Sequence, residues 1–439
     1  MSKTDSPHRI LVVGGGAGGL ELVTHLGRKL GKRRDAEIML VDAELAHIWK
    51  PLFHEIAAGT LYSYEDTLDY LAQAKRHHFR FQYGRMAGLD RSKQHIRLAA
   101  EFDESGAELA PERCLAYDTL VIAVGSVSNH FDTPGAAEHC MYLDSAAEAE
   151  RFQRMMARAY FRAQVQRQPL AEGQLSIVIV GAGATGVELA GELRDAARKA
   201  VHYGLDRIDP DTDLKLTLVE GADRVLPALS PRLSERTYQQ LQALGIRVIT
   251  GNRVVAVTRE GVELSGGDFI PAELKVWSAG IQAPDWLREL DGLTTNWANQ
   301  LEVGRSLQTT EDPNIFAFGD CAACPLPDGE GLVPPRAQAA SQQAAFLGKA
   351  LQHHLRGQSP GTFTYKDRGS LITLSENRAV GRLTGGVFGN LAIEGKVARY
   401  AYSALYRKHL TAVHGMPRVL LMTLAQALTR PTRTRLKLH

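Results

Sequence analysis

The 439-residue sequence lacks several features that mark broad protein classes. It has only four cysteines, too few for a disulfide scaffold, so we expect a reducing, cytoplasmic setting. It has no window of about 18 apolar residues, so we expect no helix that crosses a bilayer. Polar residues 1–8 run directly into an apolar stretch, which leaves no room for a cleavable signal peptide. These absences favour a cytoplasmic globular protein, and the length allows two or three domains.

Acidic residues are missing after Glu394, and the segment 396–439 contains nine Lys or Arg. Such segregated positive charge predicts an anionic partner, either nucleic acid or acidic lipid. Apolar residues at positions 402, 405, 406, 410 and 413 recur at helical spacing. This pattern favours a basic amphipathic helix lying on an anionic membrane surface, and we expect no nucleic acid. The run 419–428 is too short to cross a membrane. The alternative is a helix that packs on the protein's own core and exposes a basic face.

One local pattern occurs twice. The apolar run 9–13 leads into the glycine-rich residues 14–19, and the apolar run 176–180 leads into residues 181–186. Each is a strand followed by G-x-G-x-x-G at the start of a helix, which is typical of a dinucleotide site with its diphosphate at the helix N-terminus. A chain that binds two dinucleotides usually transfers electrons between them. The glycines expected to bind the two diphosphates are Gly14, Gly16 and Gly19 in the first copy and Gly181, Gly183 and Gly186 in the second.

Each copy also needs an acidic residue at the end of the next strand to accept hydrogen bonds from a ribose. Asp42 follows an apolar run, 23 residues after Gly19. Glu220 follows a second such run, 34 residues after Gly186, and the polar stretch 203–213 reads as an insertion that explains the longer spacing. A carboxylate repels a 2′-phosphate, so Glu220 favours NADH over NADPH, although Arg224 lies close enough in sequence to weaken that preference.

The remaining pattern completes an α/β chain. Strands are expected at 117–124, at 247–258 and at 261–264, and short strands at 274–277 and 315–318. The polar segment 160–173 is expected to cross between domains, and a proline-started helix is expected at 334–350. The predicted fold class is two Rossmann-like dinucleotide-binding domains, as in glutathione-reductase-like flavoproteins, with a C-terminal membrane-associating segment.

The whole chain resembles the type II NADH dehydrogenases, the single-subunit NADH:quinone oxidoreductases that do not pump protons, in their bacterial membrane-associated form. Both glycine motifs fit many flavoproteins, whereas the Ala337-Gln338-x-x-x-Gln342 motif and the C-terminal tail narrow the match. Ser341 is a departure, because bacterial relatives often have histidine there. The other matching segments are Trp49-Lys50-Pro51-Leu52-Phe53-His54-Glu55, Gly319-Asp320-Cys321-Ala322 and Arg435-Leu436-Lys437-Leu438-His439.

The resemblance implies a tightly but non-covalently bound FAD in the first unit and NADH as the substrate of the second. It implies an FAD-binding domain made of residues 1–143 and 280–360, an NADH-binding domain at 144–279 and a membrane-associating region at 361–439. Asp320 would accept a hydrogen bond from the flavin ribityl chain. The further residues assigned to the cofactors are Lys50, Gly319 and Ala337 for FAD and Gly280 for NADH.

Three residues receive catalytic roles from the resemblance. Glu188 would lie beside the nicotinamide, and Gln338 and Gln342, one turn apart on one helix face, would approach the quinone. Each has a simpler alternative. Glu188, like Glu21 in the first unit, suits the first turn of a helix by charge alone. The two glutamines and Lys50 suit a solvated surface.

The cysteines Cys321 and Cys324 form a C-x-x-C pair, which can be a redox dithiol or half of a metal site. No second pair accompanies them, so we interpret them as structural and expect no metal ion. The expected activity is electron transfer from NADH through FAD to a lipid quinone, at the cytoplasmic face of the inner (plasma) membrane. The oligomeric state, monomer or homodimer, stays open. Alternatives are a sulfide:quinone oxidoreductase and a redox-sensing flavoprotein whose tail binds nucleic acid.

Overall fold

The computed structural model describes residues 7–61, 67–103, 105–375, 378–384, 390–429 and 436. The first twelve strands are β1 (His8–Val13), β2 (Ala36–Asp42), β3 (Ala46–His47), β4 (Leu68–Asp69), β5 (Arg80–Tyr83), β6 (Met86–Asp90), β7 (His95–Leu98), β8 (Glu101–Phe102), β9 (Glu108–Ala110), β10 (Arg113–Ala116), β11 (Thr119–Ile122) and β12 (Val127–Ser128). The later strands are β13 (Ser176–Val180), β14 (Lys215–Val219), β15 (Arg247–Ile249), β16 (Val254–Val257), β17 (Gly261–Leu264), β18 (Phe269–Pro271), β19 (Leu274–Trp277), β20 (Ile281–Gln282), β21 (Leu301–Glu302), β22 (Ile315–Ala317), β23 (Ala322–Ala323), β24 (Gly369–Ser375), β25 (Arg378–Thr384) and β26 (Asn390–Glu394).

The α-helices are α1 (Ala17–Lys29), α2 (Phe53–Ala57), α3 (Tyr70–His77), α4 (Ala136–His139), α5 (Ala146–Val165), α6 (Ala184–His202), α7 (Pro231–Ala243), α8 (Ala337–His354), α9 (Gly395–His414) and α10 (Met416–Thr429). Single turns of 3₁₀-helix lie at Gly31–Arg33, Lys50–Leu52, Asp285–Glu289 and Gly319–Cys321.

The first sheet is parallel, with strand order β22-β11-β1-β2-β5. Its central strands are continuous apolar runs because both faces are covered. Helix α1 lies between this sheet and α8, and both helices contribute leucines to one core. Strand β22 is far along the chain, yet it pairs with β11, so the chain returns to the first sheet after building the second.

The second sheet is also parallel, with strand order β15-β14-β13-β19. The polar stretch between α6 and β14 forms a loop whose Leu205 and Ile208 are buried in the second core. The single strand expected at 247–258 is wrong. The left-handed backbone of Gly251 (φ 67°) ends β15, and β16 belongs instead to an antiparallel sheet with β17 and β18.

The chain crosses from the first sheet to the second and later returns. The two crossing segments lie side by side, because β12 pairs antiparallel with β20. Helix α5 follows, and a capping box starts it: the Ser145 hydroxyl accepts from the backbone N–H of Glu148, whose carboxylate accepts from the Ser145 N–H. The expectation that residues 160–173 form only a crossing segment is therefore wrong in its first part. Residues 160–165 are the last turns of α5, and Tyr160 is buried in the second core.

The C-terminal region contacts both helices that follow the glycine motifs. Strands β24, β25 and β26 form an antiparallel sheet, and β24 packs on α6. The two backbones approach so closely that a Cβ on Gly191 would overlap the carbonyl oxygen of Leu374. Helix α9 packs against α1.

The membrane-facing interpretation of the stripe at 402–413 is wrong for most of α9. Tyr402 is buried, and Leu410 and Val413 are part of the main core, because α9 lies along α1. Leu405 alone among the five stripe positions is exposed. The arrangement matches the alternative of a helix packed on the protein's own core.

Helix α10 is different from α9. It buries Val419 but exposes a row of aliphatic side chains, and no helix in the described ranges is long and apolar enough to cross a membrane. The basic residues 430, 433, 435 and 437 lie outside the described residues. The exposed row consists of Met416, Leu420, Leu421, Leu424 and Leu428, each 58–71% exposed.

Candidate dinucleotide and quinone sites

The first glycine loop has a turn that only glycine adopts without strain. Gly14 has φ 100°, and its N–H donates to Val41 O at 2.8 Å, which ties the loop to β2. A Cβ on Gly19 would overlap the carbonyl oxygen of Gly14, so this residue allows α1 to start close to β1. Asp42 accepts from Gly15 N at 2.5 Å and from Glu44 N at 2.8 Å. Burial raises the pKa of the Asp42 carboxyl, and these backbone donors oppose the shift.

The second loop repeats this geometry. Gly181 has φ 99° and donates to Val219 O at 2.7 Å. A Cβ on Gly186 would overlap the carbonyl oxygen of Gly181. Glu220 accepts from Ala182 N at 2.7 Å and from Ala222 N at 3.0 Å. The structure thus places each predicted acid at the end of the second strand of its unit, beside its loop.

Both helices that follow the loops begin without a capping side chain. Gly16 and Gly183 occupy the N-cap positions, and neither α1 nor α6 has a side-chain cap, in contrast to α5. A Cβ at either glycine would meet no heavy atom of the described chain within 4 Å. The first-turn N–H groups therefore face open space at the positive end of a helix dipole, which is what a diphosphate needs.

A chain of polar groups links the turn Gly319–Cys321 to the turn at Lys50. The Lys50 ammonium donates to Ser126 O at 2.8 Å and lies 3.5 Å from Asp144. Ser126 Oγ donates to Asp320 Oδ2 at 2.9 Å. Burial raises the pKa of Asp320, and the Ser126 hydrogen bond opposes this shift. Gly319 has φ 78°, so the chain turns sharply before Asp320.

Two further predicted residues mark the edges of these sites. Ala337 is the first residue of α8. Gly280 has φ 71° and follows β19; a Cβ there would overlap the ring of Phe131. Gly280 O accepts from Asn129 N at 3.2 Å, so this glycine lies where the chain crosses between the sheets.

Gln338 and Gln342 both bind the backbone of the segment that leads into β24. The Gln338 amide donates to Gly369 O at 2.9 Å and accepts from Arg368 N at 3.2 Å. The Gln342 amide donates to Lys366 O at 2.9 Å and accepts from Lys366 N at 3.1 Å. The two glutamines therefore lie on one helix face, as their spacing predicts, and that face holds residues 366–369 in place.

Glu188 is buried on α6, only 6% exposed. Its Oε1 accepts from Thr373 N at 3.0 Å, and its Oε2 lies 3.7 Å from His54 Nδ1. Burial raises the pKa of this carboxyl to about 8, with Glu55 and Glu192 adding to the shift. Glu188 and both glutamines thus contact one continuous piece of chain, residues 366–373.

Residues 8–344 match the pyridine nucleotide-disulphide oxidoreductase family. The chain is 40% identical, over 98% of its length and 99% of the relative's, to the type II NADH:quinone oxidoreductase of Haemophilus influenzae. It is 30% identical to the type II NADH:quinone oxidoreductase Ndh of Mycobacterium tuberculosis, over 86% of this chain and 80% of the other.

The chain belongs to the type II NADH:quinone oxidoreductase family. In fold it matches NDH2 from Plasmodium falciparum, solved in complex with NADH, with a TM-score of 0.82 at 17% identity, covering 98% of this chain and all of that one. The expected α/β class with two Rossmann-like units is confirmed.

Gln343 and Tyr70 of this oxidoreductase were missed by sequence reasoning, and Glu21 and Ser341 were considered there without a prediction that they pair. Buried Gln343 accepts from Gly319 N at 2.9 Å, and Tyr70 donates to Gly15 O at 2.8 Å. Glu21 accepts from Ser341 Oγ at 2.8 Å and pairs with buried His409 at 2.8 Å. Gln343 directly follows a predicted glutamine, which is a usable signal. The Glu21 pairs join residues more than 300 positions apart, and no local pattern shows them.

All four cysteines of this oxidoreductase are free thiols. Cys321 donates to Phe318 O at 3.3 Å and is fully buried. Burial raises the pKa values of Cys321 and Cys324 to about 11, so both sulfurs stay protonated and poorly nucleophilic at neutral pH.

Proposed function

We propose that this protein takes electrons from NADH at the second glycine loop and delivers them, through FAD held at the first, to a lipid quinone. The observation that carries the proposal is the pair of uncapped helix N-termini at Gly16 and Gly183, each with a partnered acid at the adjacent strand end. Family membership supports the same reaction.

The residues of the first unit fit FAD. Gly14, Gly16 and Gly19 leave room for a diphosphate at the α1 N-terminus, and Asp42 stands where it would accept a hydrogen bond from a ribose hydroxyl. Lys50 and Asp320 are linked through Ser126 next to the sharp turn at Gly319, and we assign them, with Ala337, to the flavin side. Bound FAD would supply the redox chemistry, accepting hydride from NADH and reducing quinone to quinol.

The second unit would hold NADH through the loop Gly181–Gly186 and Glu220. We assign Glu188 to the nicotinamide side and Gly280 to the crossing that lets the nucleotide approach. Support for Glu188 is its place on the helix that the second loop starts, and its fixed orientation by Thr373. A buried carboxylate that is held by a backbone N–H keeps one geometry and excludes water.

For the quinone we infer a role of Gln338 and Gln342 that differs from direct binding by free amides. Both amide groups are engaged by residues 366–369. We propose that they hold this segment at the edge of the quinone pocket, so that its backbone and their remaining lone pairs face the quinone head.

The test separates the two half-reactions. In anaerobic stopped-flow, NADH should bleach the flavin of the parent protein. Gln338→Leu and Gln342→Leu should slow reoxidation by quinone at least tenfold while flavin reduction stays near the parent rate. Gln352→Leu, on the same helix, is the matched control, since its amide donates to Gly348 O of the preceding helical turn and not to residues 366–369. Equal slowing of both half-reactions would remove Gln338 and Gln342 from the quinone site.

The topology supports a domain division at the crossing of β12 and β20. We propose that residues 1–143 and 280–360 form the FAD-binding domain and that 144–279 form the NADH-binding domain. Of the C-terminal region 361–439, we propose membrane association only for α10 and the tail after it, because α9 packs on the core. The return of β22 to the first sheet supports the discontinuous first domain. The division predicts that limited proteolysis does not release residues 1–143 as a separate, FAD-free fragment, because residues 280–360 complete the same domain.

We further propose peripheral attachment to the cytoplasmic face of the inner membrane through α10 and the basic tail. Five exposed aliphatic side chains of α10 would each contribute roughly 1 kcal/mol or more when buried in the interface. Basic residues add about 1 kcal/mol each near anionic lipid, screened by salt. The same exposed row would serve a homodimer, which is the competing occupant.

A deletion from residue 396 onward would remove α9 and with it Leu410 and Val413 from the core. Deletion from residue 416 onward is the better test. The shortened protein should keep FAD and NADH oxidation with a soluble quinone analogue, and should no longer co-sediment with anionic liposomes. Continued co-sedimentation would place the membrane contact elsewhere. Light scattering of the parent in detergent tests the homodimer.

A further inference from the structure

A cluster of ionisable side chains lies buried between helix α2, which directly follows the turn at Lys50, and helix α6. Neither the redox reaction nor the family match accounts for it. His54 and Glu192 are each 2% exposed, and Glu55 joins them. One donor atom from each of the three lies within 4.8 Å of the other two. His54 Nε2 and Glu55 Oε1 are 4.0 Å apart.

Two buried atoms of this cluster lack a hydrogen-bond partner among the described residues. Among the described residues, His54 Nε2 and Glu192 Oε1 have no hydrogen-bond partner, although Glu192 Oε2 accepts from Thr60 Oγ1 at 3.2 Å. The other ring nitrogen, Nδ1, lies 3.7 Å from Glu188 Oε2, and the backbone of Pro51 also hydrogen-bonds the imidazole. With its proton on Nδ1, the imidazole would direct the lone pair of Nε2 toward Glu55 Oε1, 4.0 Å away. A buried polar atom without a partner is costly unless a positive species lies beside it.

The charges favour the same conclusion. Among the described side chains, Glu55, Glu188 and Glu192 meet here, and Arg399 approaches at 3.9 Å from Glu192 Oε1. Asp195 raises the pKa of Glu192 and Lys199 lowers it, each by less than Arg399 does. Three carboxyl groups meet one guanidinium here, so the cluster offers several oxygen ligands, and a divalent cation would displace the protons that the buried carboxyl groups hold.

We propose that His54, Glu55 and Glu192 bind a divalent transition-metal ion of the zinc or manganese type. One imidazole and two carboxylates suit such ions, whereas Mg²⁺ and Ca²⁺ prefer oxygen ligands alone. Glu188 beside Nδ1 would complete the carboxylate–histidine–metal arrangement that orients a ligating imidazole. The ion would link the turn that carries Lys50 to helix α6, and so join the two dinucleotide-binding units. This site goes beyond the redox function proposed above.

Zn²⁺ binding to the full-length, FAD-loaded protein tests the proposal. After treatment with a chelator and buffer exchange, Zn²⁺ is titrated in competition with a chromophoric chelator. We expect one site per chain that protects against thermal unfolding. Glu192→Gln and His54→Gln should each raise the Kd for Zn²⁺ at least tenfold. The matched controls are Glu260→Gln and His139→Gln, at exposed positions, and they should leave the Kd unchanged.

Arg399 provides the sharper test, because it competes with a cation for Glu192. Arg399→Gln should tighten Zn²⁺ binding several-fold, whereas a cluster that needs no metal would only lose an ion pair. Mn²⁺ bound to the parent should show imidazole nitrogen coupling by pulsed electron paramagnetic resonance, and His54→Gln should abolish it. If His54→Gln loses FAD or unfolds, Glu192→Gln and Arg399→Gln still decide. Absence of a stoichiometric site in the parent, or a Kd indifferent to both variants, would overturn the assignment.

Discussion

In the first unit Gly14 donates to the end of β2 and Asp42 accepts from the loop; in the second unit Gly181 and Glu220 make the same pair of bonds. The loops therefore share one backbone design. The units differ at the glutamate two residues after the last glycine of each motif. Glu21 pairs with His409 of α9, and Glu188 accepts from Thr373 of β24.

The difference shows how one C-terminal region closes two equivalent units. Helix α9 covers the first, where Arg28 donates to Val413 O at 2.6 Å and to Ala412 O at 3.2 Å and so caps the end of α9. Strand β24 covers the second. Equivalent glutamates in two duplicated units have thus acquired different partners, and their shared position in the motif does not predict a shared role.

The largest expected effect comes from breaking the shared part of the design. Gly19→Ala and Gly186→Ala each force a Cβ into a carbonyl oxygen of the preceding turn, which shifts the loop and costs about 1–3 kcal/mol before any ligand is considered. Gly19→Ala should lower the flavin content of the purified protein more than tenfold. Gly186→Ala should keep the flavin and raise the KM for NADH more than tenfold. Loss of flavin in both variants would show that the units are not independent.

The sequence predicted this shared part well because it is local. Gly14, Gly19 and Asp42, with their counterparts, take their turn, packing and strand-end positions within one strand–loop–helix unit, so spacing alone predicts those positions. The C-terminal region could not be predicted in this way. A stripe such as Leu410 and Val413 has the same helical spacing whether it meets lipid or a protein core. Only the tertiary position of α1 decides between them.

A second prediction compares the two acids. Glu220→Ser removes the carboxylate that would repel a 2′-phosphate, so the preference for NADH over NADPH should narrow by about tenfold, or roughly 1.4 kcal/mol. Arg224 donates to Pro227 O at 2.8 Å, which holds it in place and limits how far it can offset Glu220. Asp42→Ser is the matched change in the first unit and should reduce flavin content without altering coenzyme preference. Steady-state kcat/KM for the two coenzymes measures the effect, and equal use of both by the parent would contradict this role of Glu220.

A third prediction concerns Arg28, which links α1 to the end of α9 in the first unit, and its neighbour His77. Burial lowers the pKa of His77 to about 4, with the nearby arginines adding to the shift, and its neutral Nδ1 accepts from Arg28 Nε at 3.2 Å. The folded-state pKa lies below the ordinary 6.5, so the stabilisation is present above pH 6.5 and is lost as the pH falls toward 4. We expect the unfolding free energy to fall by about 2 kcal/mol over that interval.

His77→Gln keeps an acceptor for Arg28 and removes the titration, so the loss of stability between pH 6.5 and 4 should become shallower. Urea unfolding at a series of pH values measures it. His139→Gln, at an exposed histidine, is the control and should reproduce the parent curve. An unchanged slope in His77→Gln would mean that other groups govern acid unfolding.

The smallest expected effect tests a further asymmetry, the thiol pair that follows the last strand of the first sheet. Cys321 contacts Ile122 O and Phe318 O, and Cys324 contacts Pro325 O, so each sulfur already has a backbone partner. Serine is smaller and more polar, and replacing both residues should cost about 1 kcal/mol of stability through looser packing. NADH:quinone turnover and flavin content should stay within twofold of the parent, because neither half-reaction uses a thiol. Thermal melts and steady-state rates of the double variant measure both quantities. A variant that still holds FAD but no longer turns over would give the pair a redox role and make the first unit chemically, as well as structurally, distinct from the second.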